Sequence, residues 1–149
     1  MSLPKLNENP KISCTILVAD DDPDDRFLLS EAFQELQDTV EMHFVEDGEE
    51  LMNYLYCQGK DTDFAPCPQV DLVFLDLNMP KKNGRQALSE IKADKHLSRI
   101  PVIVWTSSSS EEDITFCLQA GADACYTKPA RYEEMVEVVR GIVAKYSFQ

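Results

Sequence analysis

The chain has 149 residues, 44 % of them hydrophobic, and a formal net charge of −13. This size and apolar content suit one globular domain with one buried core, and no apolar run approaches the ~20 residues that cross a bilayer. The acidic charge argues against direct nucleic-acid binding, because phosphate backbones attract basic surfaces. Neither nucleic acid nor a membrane is therefore an expected partner.

The N-terminus and the cysteines indicate the cellular compartment. Residues 1–14 are mostly polar and lack the apolar stretch of a secretion signal, so we expect a flexible lead-in before a domain over residues 15–149. The five cysteines form no C-x-x-C pair, which argues against a zinc site. Their odd number, without a signal peptide, favours reduced thiols and a cytoplasmic protein.

Five short apolar runs alternate with five helix-like stretches. The runs at residues 15–19, 72–75 and 102–105 are continuous, as in strands buried on both faces. Residues 40–45 alternate, which fits a strand nearer a sheet edge, and residues 124–127 form a weaker fifth run. Alternating strands and helices predict a parallel α/β sheet with helices on both faces.

Capping residues and apolar spacing mark the helices. Asp22 is a candidate cap for the first, with Pro23 at its first position and Asp24 and Asp25 facing the positive end of the helix dipole. The later helices are marked by Leu51, Met52 and Leu55, by Ala87, Leu88 and Ile91, by the acidic turn after Ser110, and by Met135, Val136, Val139, Ile142, Val143 and Tyr146. Residues 57–69 are predicted to form a surface loop.

Polar residues follow four of the predicted strands. Asp20 and Asp21 follow the first strand, Asp76 the third, Thr106 the fourth and Lys128 the fifth. Ligands of open parallel sheets bind beyond the carboxyl ends of the strands. We therefore expect three carboxylates, a hydroxyl and an ammonium to meet on one rim.

This set of groups predicts phosphoryl chemistry. Clustered carboxylates repel each other, and oxygen ligands without His or Cys favour Mg²⁺ as the neutralising cation. Mg²⁺ held by one or two carboxylates and a phosphate leaves a third carboxylate, Asp76, to attack as a nucleophile. Lys128 and Thr106 can donate to the phosphoryl oxygens. The helix cap and its first turn account for Asp22, Asp24 and Asp25 without a catalytic role.

In this order the motifs resemble the signature of response-regulator receiver domains. They are Val18-Ala19-Asp20-Asp21-Asp22, the run from Asp71 through Asp76 to Pro80 with Gly84, Thr106-Ser107, and Lys128-Pro129. The resemblance covers residues 15–146. It implies a flavodoxin-like fold, with five parallel strands in the order 2-1-3-4-5.

The resemblance also implies roles for individual residues. Asp76 resembles the phospho-acceptor, Asp20 and Asp21 the acidic pair that binds the metal with it, and Asn78 the residue whose backbone carbonyl completes the metal site. Thr106 resembles the switch hydroxyl that moves toward the phosphoryl group. In the same family a lysine, here Lys128, contacts that group, and its bond to the following proline is a candidate cis peptide.

One position departs from the family pattern. A switch aromatic usually lies three residues before the lysine, but here that position is Cys125, and Tyr126 follows it. The usual coupling between the threonine and an aromatic ring is therefore altered. The loop at residues 57–69, the run 85–100 and an expected lack of an output domain resemble the small single-domain regulators of phytochrome-type histidine kinases.

The resemblance implies a switch that is not an enzyme on outside substrates. A histidine kinase or phosphotransfer protein would phosphorylate Asp76, and the altered surface would bind a downstream protein or a second copy in a homodimer. One alternative is a haloacid-dehalogenase-type phosphohydrolase, which needs an acidic residue where this chain has Asn78. Another is a degenerate receiver that acts only as a phosphorylation-independent binding module.

Overall fold

The computed structural model describes residues 14–36, 40–59, 69–79 and 81–146. Within them the strands are β1 (Cys14–Ala19), β2 (Val40–Val45), β3 (Leu72–Leu75), β4 (Val102–Thr106) and β5 (Ala124–Thr127). The helices are α1 (Pro23–Gln34), α2 (Gly48–Gly59), α3 (Gly84–Ala93), α4 (Glu111–Gln119) and α5 (Tyr132–Tyr146), with a short 3-10 helix at Leu97–Arg99. The lead-in at residues 1–13, most of the predicted loop (60–68) and Pro80 lie outside the described residues.

The strands form one parallel sheet in the order β2-β1-β3-β4-β5, which confirms the predicted flavodoxin-like fold. The register pairs Ala19 of β1 with Leu75 of β3 and with Val45 of β2. The residues that directly follow β1 and β3 therefore lie side by side at the carboxyl edge. This register brings the acidic residues of two separate motifs to one place.

A core layer covers each face of the sheet. Side chains of α1 and α5 pack on one face around Ile16, Val18 and Phe74, and those of α2, α3 and α4 pack on the other around Leu17 and Ala19. Successive residues of a strand point to opposite faces, so a continuous apolar run supplies both layers. The apolar positions predicted for α5 are buried there, and Tyr146 packs at the edge of its layer.

Most element boundaries agree with the predictions. Asp22 caps α1 by accepting the backbone N–H of Asp24 at 2.9 Å, and Ser110 caps α4. The strand β1 begins one residue early, at Cys14, which is buried. The prediction that a loop starts at residue 57 is wrong, because no helix-breaking residue occurs before Gly59 and α2 continues to it.

Two further expectations, reduced thiols and a cis bond between Lys128 and Pro129, are wrong. Cys57 is disulfide-bonded, whereas Cys117 and Cys125 carry reduced thiols. A disulfide depends on which residues tertiary folding brings together, and sequence spacing does not show that. The bond between Lys128 and Pro129 is trans, like every peptide bond of the described residues, and trans is the isomer that X–Pro bonds favour. No described helix is both long and apolar enough to span a membrane.

Candidate functional site

The carboxyl ends of β1 and β3 bring three acidic side chains together. The backbone N–H of Asp76 donates to the Ala19 carbonyl at 3.0 Å, which places Asp76 beside Asp20. Both side chains are buried, with 2 % of Asp20 and 7 % of Asp76 exposed, whereas Asp21 is exposed. One carboxylate oxygen from each of the three lies within 4.8 Å of the others. The structure therefore brings the predicted acidic cluster together.

Lys128 supplies the positive charge of this cluster. Its Nζ donates to Asp20 Oδ2 at 2.9 Å, to Asp76 Oδ2 at 3.3 Å and to Asp25 Oδ2 at 2.6 Å. The backbone N–H of Lys128 donates to the Thr106 carbonyl at 2.7 Å, which sets the lysine at the end of β5. With the exposed Asp21, one ammonium faces four carboxylates. The cluster keeps a net negative charge that can hold a cation.

Burial and charge perturb the ionisation of these groups. Burial raises the pKa of Asp20 and of Asp76 above the usual aspartate value, although the Lys128 ammonium opposes this in both. Burial would lower the pKa of Lys128, but the hydrogen bonds to Asp25 and Asp20 and the charge of Asp76 raise it overall. Lys128 therefore stays positively charged at neutral pH.

Asp25 is a member of the site that sequence reasoning missed. The helix dipole is enough to account for its charge in the sequence, but its carboxylate makes the shortest of the three contacts of Lys128. Asp25 is the third residue of α1, and helical side chains lean back toward the N-terminus of the helix. The start of α1 directly after Asp20 and Asp21 was the signal that could have identified it.

The donor atoms of the cluster fit a hard divalent cation. Asp20 Oδ1 accepts the N–H of Asp22 at 2.9 Å, and Asp76 Oδ1 accepts the N–H of Asn78 at 3.2 Å. A carboxylate oxygen has two lone pairs, so each can also bind a metal. No histidine or cysteine of the described residues joins the group, which favours a cation with oxygen ligands over zinc. The role of the Asn78 carbonyl as a further ligand stays a prediction.

Thr106 ends β4 and is fully buried. Its Oγ1 accepts the backbone N–H of Ser108 at 3.2 Å, so the loop after β4 engages the predicted switch hydroxyl. Ser107, between them, is exposed. The backbone carbonyl of Thr106 accepts the backbone N–H of Lys128, which joins the threonine to the rim. Among the described residues, its hydroxyl makes no hydrogen bond to a carboxylate of the cluster.

Gly84 packs directly on the backbone of the predicted phospho-acceptor. A Cβ at this position would lie 2.3 Å from the Asp76 carbonyl oxygen and 2.6 Å from the Leu77 Cα. The N–H of Gly84 donates to the Leu77 carbonyl at 2.9 Å. Only glycine permits this approach, which fixes the start of α3 against the segment that carries Asp76.

Cys125 and Tyr126 lie on opposite faces of β5. Cys125 packs on the α4 side, against the core layer that contains Cys117, whereas Tyr126 lies on the α5 side with its ring 6.2 Å from that of Trp105. Neighbouring residues of a strand point in opposite directions. Tyr126 therefore does not take the place of the switch aromatic that Cys125 replaces.

Comparison with known proteins assigns the family. Residues 16–140 match the response regulator receiver domain. The chain belongs to this family. It is 34 % identical over 133 residues to Response regulator Rcp1 of a Synechocystis strain, covering 89 % of this chain and 86 % of the relative. It is 30 % identical to the probable methanogenesis regulatory protein FilR2 of Methanothrix harundinacea, covering 85 % of this chain and 79 % of the relative.

Solved structures show the same fold. The phosphorylated cyanobacterial phytochrome response regulator RcpA superposes with a TM-score of 0.80 at 35 % identity, covering 90 % of this chain and 94 % of that one. The response regulator RPA3017 in red light signalling of R. palustris has a TM-score of 0.77 at 32 % identity, with coverages of 87 % and 91 %. This receiver domain of two-component signalling is thus similar to phytochrome response regulators, as its sequence predicted.

Proposed function

We propose that this receiver domain accepts a phosphoryl group on Asp76 from a histidine kinase or a phosphotransfer protein. The observation that carries the proposal is the cluster in which carboxylate oxygens of Asp20, Asp21 and Asp76 lie within 4.8 Å of one another. Lys128 Nζ lies 3.3 Å from Asp76 Oδ2, within reach of a group bound there. The proposed acceptor, the proposed metal ligands and the proposed phosphoryl-binding cation are thus adjacent.

Mg²⁺ is the cation we propose for this site. Asp20, Asp21 and Asp76 would hold it with the backbone carbonyl of Asn78. The hard oxygen donors and the negative charge of the cluster suit it. When bound, Mg²⁺ would neutralise charge between the carboxylates and the phosphoryl oxygens. A structure of Rcp1 at 31 % identity, with a TM-score of 0.76 and coverages of 88 % and 92 %, is of the Mn²⁺-bound form, which supports a divalent cation here.

The transfer needs little proton chemistry from the protein. A carboxylate oxygen of Asp76 attacks the phosphorus, an O–P bond forms, and the P–N bond of the donor phosphohistidine breaks with its electron pair remaining on the imidazole nitrogen. Lys128 offsets negative charge on the phosphoryl oxygens. Thr106 supplies a hydroxyl to the acyl phosphate once its side chain reaches it. Burial of Asp76 limits access of water to the product.

The phosphorylated domain would then change its binding of a downstream protein or of a second copy. We propose a cytoplasmic location from the resemblance to receiver domains alone, because the disulfide at Cys57 removes the argument from reduced thiols. We propose no enzymatic action on outside substrates. A phosphohydrolase of the haloacid-dehalogenase type is disfavoured because the Asn78 amide does not ionise near neutral pH and cannot act as an acid/base. A degenerate receiver is disfavoured because the acceptor and the acidic pair are both retained.

The deciding experiment is the intact mass after incubation with Mg²⁺ and acetyl phosphate. We expect one phosphoryl adduct that requires Mg²⁺, is absent in Asp76→Asn and persists in Asp94→Asn, which removes an aspartate remote from the rim. An adduct that persists in Asp76→Asn would contradict the acceptor. No adduct on a protein that binds Mg²⁺ would favour the degenerate receiver.

A further inference from the structure

Ser108, in the loop between β4 and α4, has every polar group engaged. Its N–H donates to Thr106 Oγ1 at 3.2 Å, and its carbonyl accepts the hydroxyl of Thr127 at 3.1 Å. Its own hydroxyl donates to Asp113 Oδ2 at 2.7 Å and accepts the N–H of Ser110 at 3.2 Å. This one residue therefore connects the predicted switch hydroxyl to β5 and to the first turn of α4.

Asp113 is fixed from a second direction by α3. Its Oδ1 forms an ion pair with the guanidinium of Arg85, and both side chains are partly buried. Hydrogen bonds from Arg85 and Ser108 hold the pKa of Asp113 below its usual value. An acidic residue in the first turn of α4 suits the helix dipole by itself, but the dipole explains neither Arg85 nor Ser108 as its partner.

Arg85 is in turn tied to the segment that carries Asp76. It follows Gly84, whose close approach to the Asp76 carbonyl sets the start of α3. Contacts therefore run without a gap from the backbone of Asp76, through Gly84, Arg85, Asp113 and Ser108, to Thr106 Oγ1. This network joins elements that are distant in sequence but meet at the rim.

We propose that Arg85, Asp113 and Ser108 are positioning residues that hold the Thr106 hydroxyl on the Ser108 N–H in the unphosphorylated domain. The inference rests on the proposed function of Asp76, and it says which residues control the response of that site. The Thr106 hydroxyl accepts the Ser108 N–H and makes no hydrogen bond to the carboxylates of the rim among the described residues, so in our proposal its movement toward a phosphoryl group breaks or carries along the contact with Ser108. With Cys125 in place of an aromatic ring, this polar network provides the resistance to that shift.

The first test is the initial rate of Asp76 phosphorylation by acetyl phosphate with saturating Mg²⁺. Asp113→Ala removes the partner of both Ser108 and Arg85, so we expect the rate to rise about threefold to tenfold. Arg85→Ala leaves the contact between Ser108 and Asp113 and should give a smaller rise. Glu90→Ala is the matched control, because it breaks a similarly exposed ion pair, with Lys82, outside the network.

A double variant separates positioning from general loosening. In a Thr106→Ala background the network has no hydroxyl to hold, so adding Asp113→Ala should leave the rate within about twofold of Thr106→Ala alone. The same rise in both backgrounds would overturn the proposal. So would an unchanged rate in Asp113→Ala, with urea unfolding used to show that each variant is folded.

A second measurement does not depend on phosphorylation. Amide hydrogen exchange at Ser108 should be slow in the wild type, faster in Asp113→Ala by about tenfold or more, and unchanged in Glu90→Ala. Unprotected exchange at Ser108 in the wild type would overturn the network itself. If the wild type takes no phosphoryl group, the proposed function fails, and the exchange data still decide whether the network holds Thr106.

Discussion

The ammonium of Lys128 donates to the carboxylate of Asp25 at 2.6 Å, although the two residues lie 103 positions apart. The same ammonium also contacts Asp20 and Asp76, so three carboxylates share one cation. How tightly Lys128 holds Asp76, the proposed phospho-acceptor, therefore depends on a residue in the first turn of α1. A cation that enters the cluster shares the carboxylates of Asp20 and Asp76 with Lys128.

Because three carboxylates share the Lys128 ammonium, we expect Asp25→Asn to weaken Mg²⁺ binding. The variant removes one negative charge near the site and leaves Lys128 to bind Asp20 and Asp76 more tightly. We expect about threefold to tenfold lower affinity by isothermal titration calorimetry. Asp24→Asn is the control, since it removes a neighbouring exposed charge that does not contact Lys128. Equal losses in the two variants would indicate only a general charge effect.

Asp21→Asn should stabilise the metal-free protein while removing its response to Mg²⁺. Asp21 is exposed, and its carboxylate lies close to two buried carboxylates of the same charge. Relief of this repulsion should raise the free energy of unfolding by about 0.5–1 kcal/mol. Wild-type protein should gain about 2.7 kcal/mol at a Mg²⁺ concentration of 100 Kd, and the variant much less at the same concentration.

Urea unfolding with and without Mg²⁺ measures both effects. The variant should be more stable than the wild type in a chelator and less stable in saturating Mg²⁺. A variant that keeps the full stabilisation by Mg²⁺ would show that Asp21 is not a ligand. A variant that is destabilised in the chelator would show that repulsion at this position is negligible.

We expect substitution by alanine to have opposite effects on stability at Gly84 and at Gly141. Gly84→Ala places a Cβ against backbone atoms of Asp76 and Leu77, which cannot move aside, and should cost about 1–3 kcal/mol of unfolding free energy. Gly141, inside α5, has nothing within 4 Å of an added Cβ. Gly141→Ala should stabilise by about 0.5–1 kcal/mol, because alanine favours the helix. Urea unfolding of both variants checks the pair, and a neutral Gly84→Ala would contradict the close approach.

The buried thiol of Cys117 predicts a loss of stability in alkali. Burial and the nearby Cys125 thiol raise the pKa of Cys117 from its usual 9.0 to about 11. The folded state thus holds the thiol proton more tightly than the unfolded state. The resulting stability is complete below pH 9.0 and is lost as the pH rises toward about 11.

Comparison with Cys117→Ala isolates this effect from other groups that titrate in alkali. The difference in unfolding free energy between wild type and variant should be constant from pH 7 to 8.5. It should shrink by about 2–3 kcal/mol as the pH approaches 11. Urea unfolding at each pH gives the difference, and a gap that stays constant to pH 11 would contradict the raised pKa of Cys117.

Local patterns were enough to place most of the fold and the rim. Continuous apolar runs identified strands buried on both faces, and the residues directly after them identified Asp20, Asp21, Asp76, Thr106 and Lys128. This works because parallel strands end at one edge, so position along the chain predicts position in space. The strand order came from the resemblance to receiver domains, since periodicity does not state which strands are neighbours.

Only the tertiary structure decided the contacts between elements. Periodicity gives the buried face of a helix but not the distance of one side chain from another element. The pairing of Asp25 with Lys128, the approach of Gly84 to Asp76 and the bridge from Arg85 to Asp113 were therefore not visible in the sequence. The sequence by itself determined that Asp20, Asp21, Asp76 and Lys128 meet at the rim, because strand ends are local features. Packing of the helices against the sheet decided which partners restrain those groups.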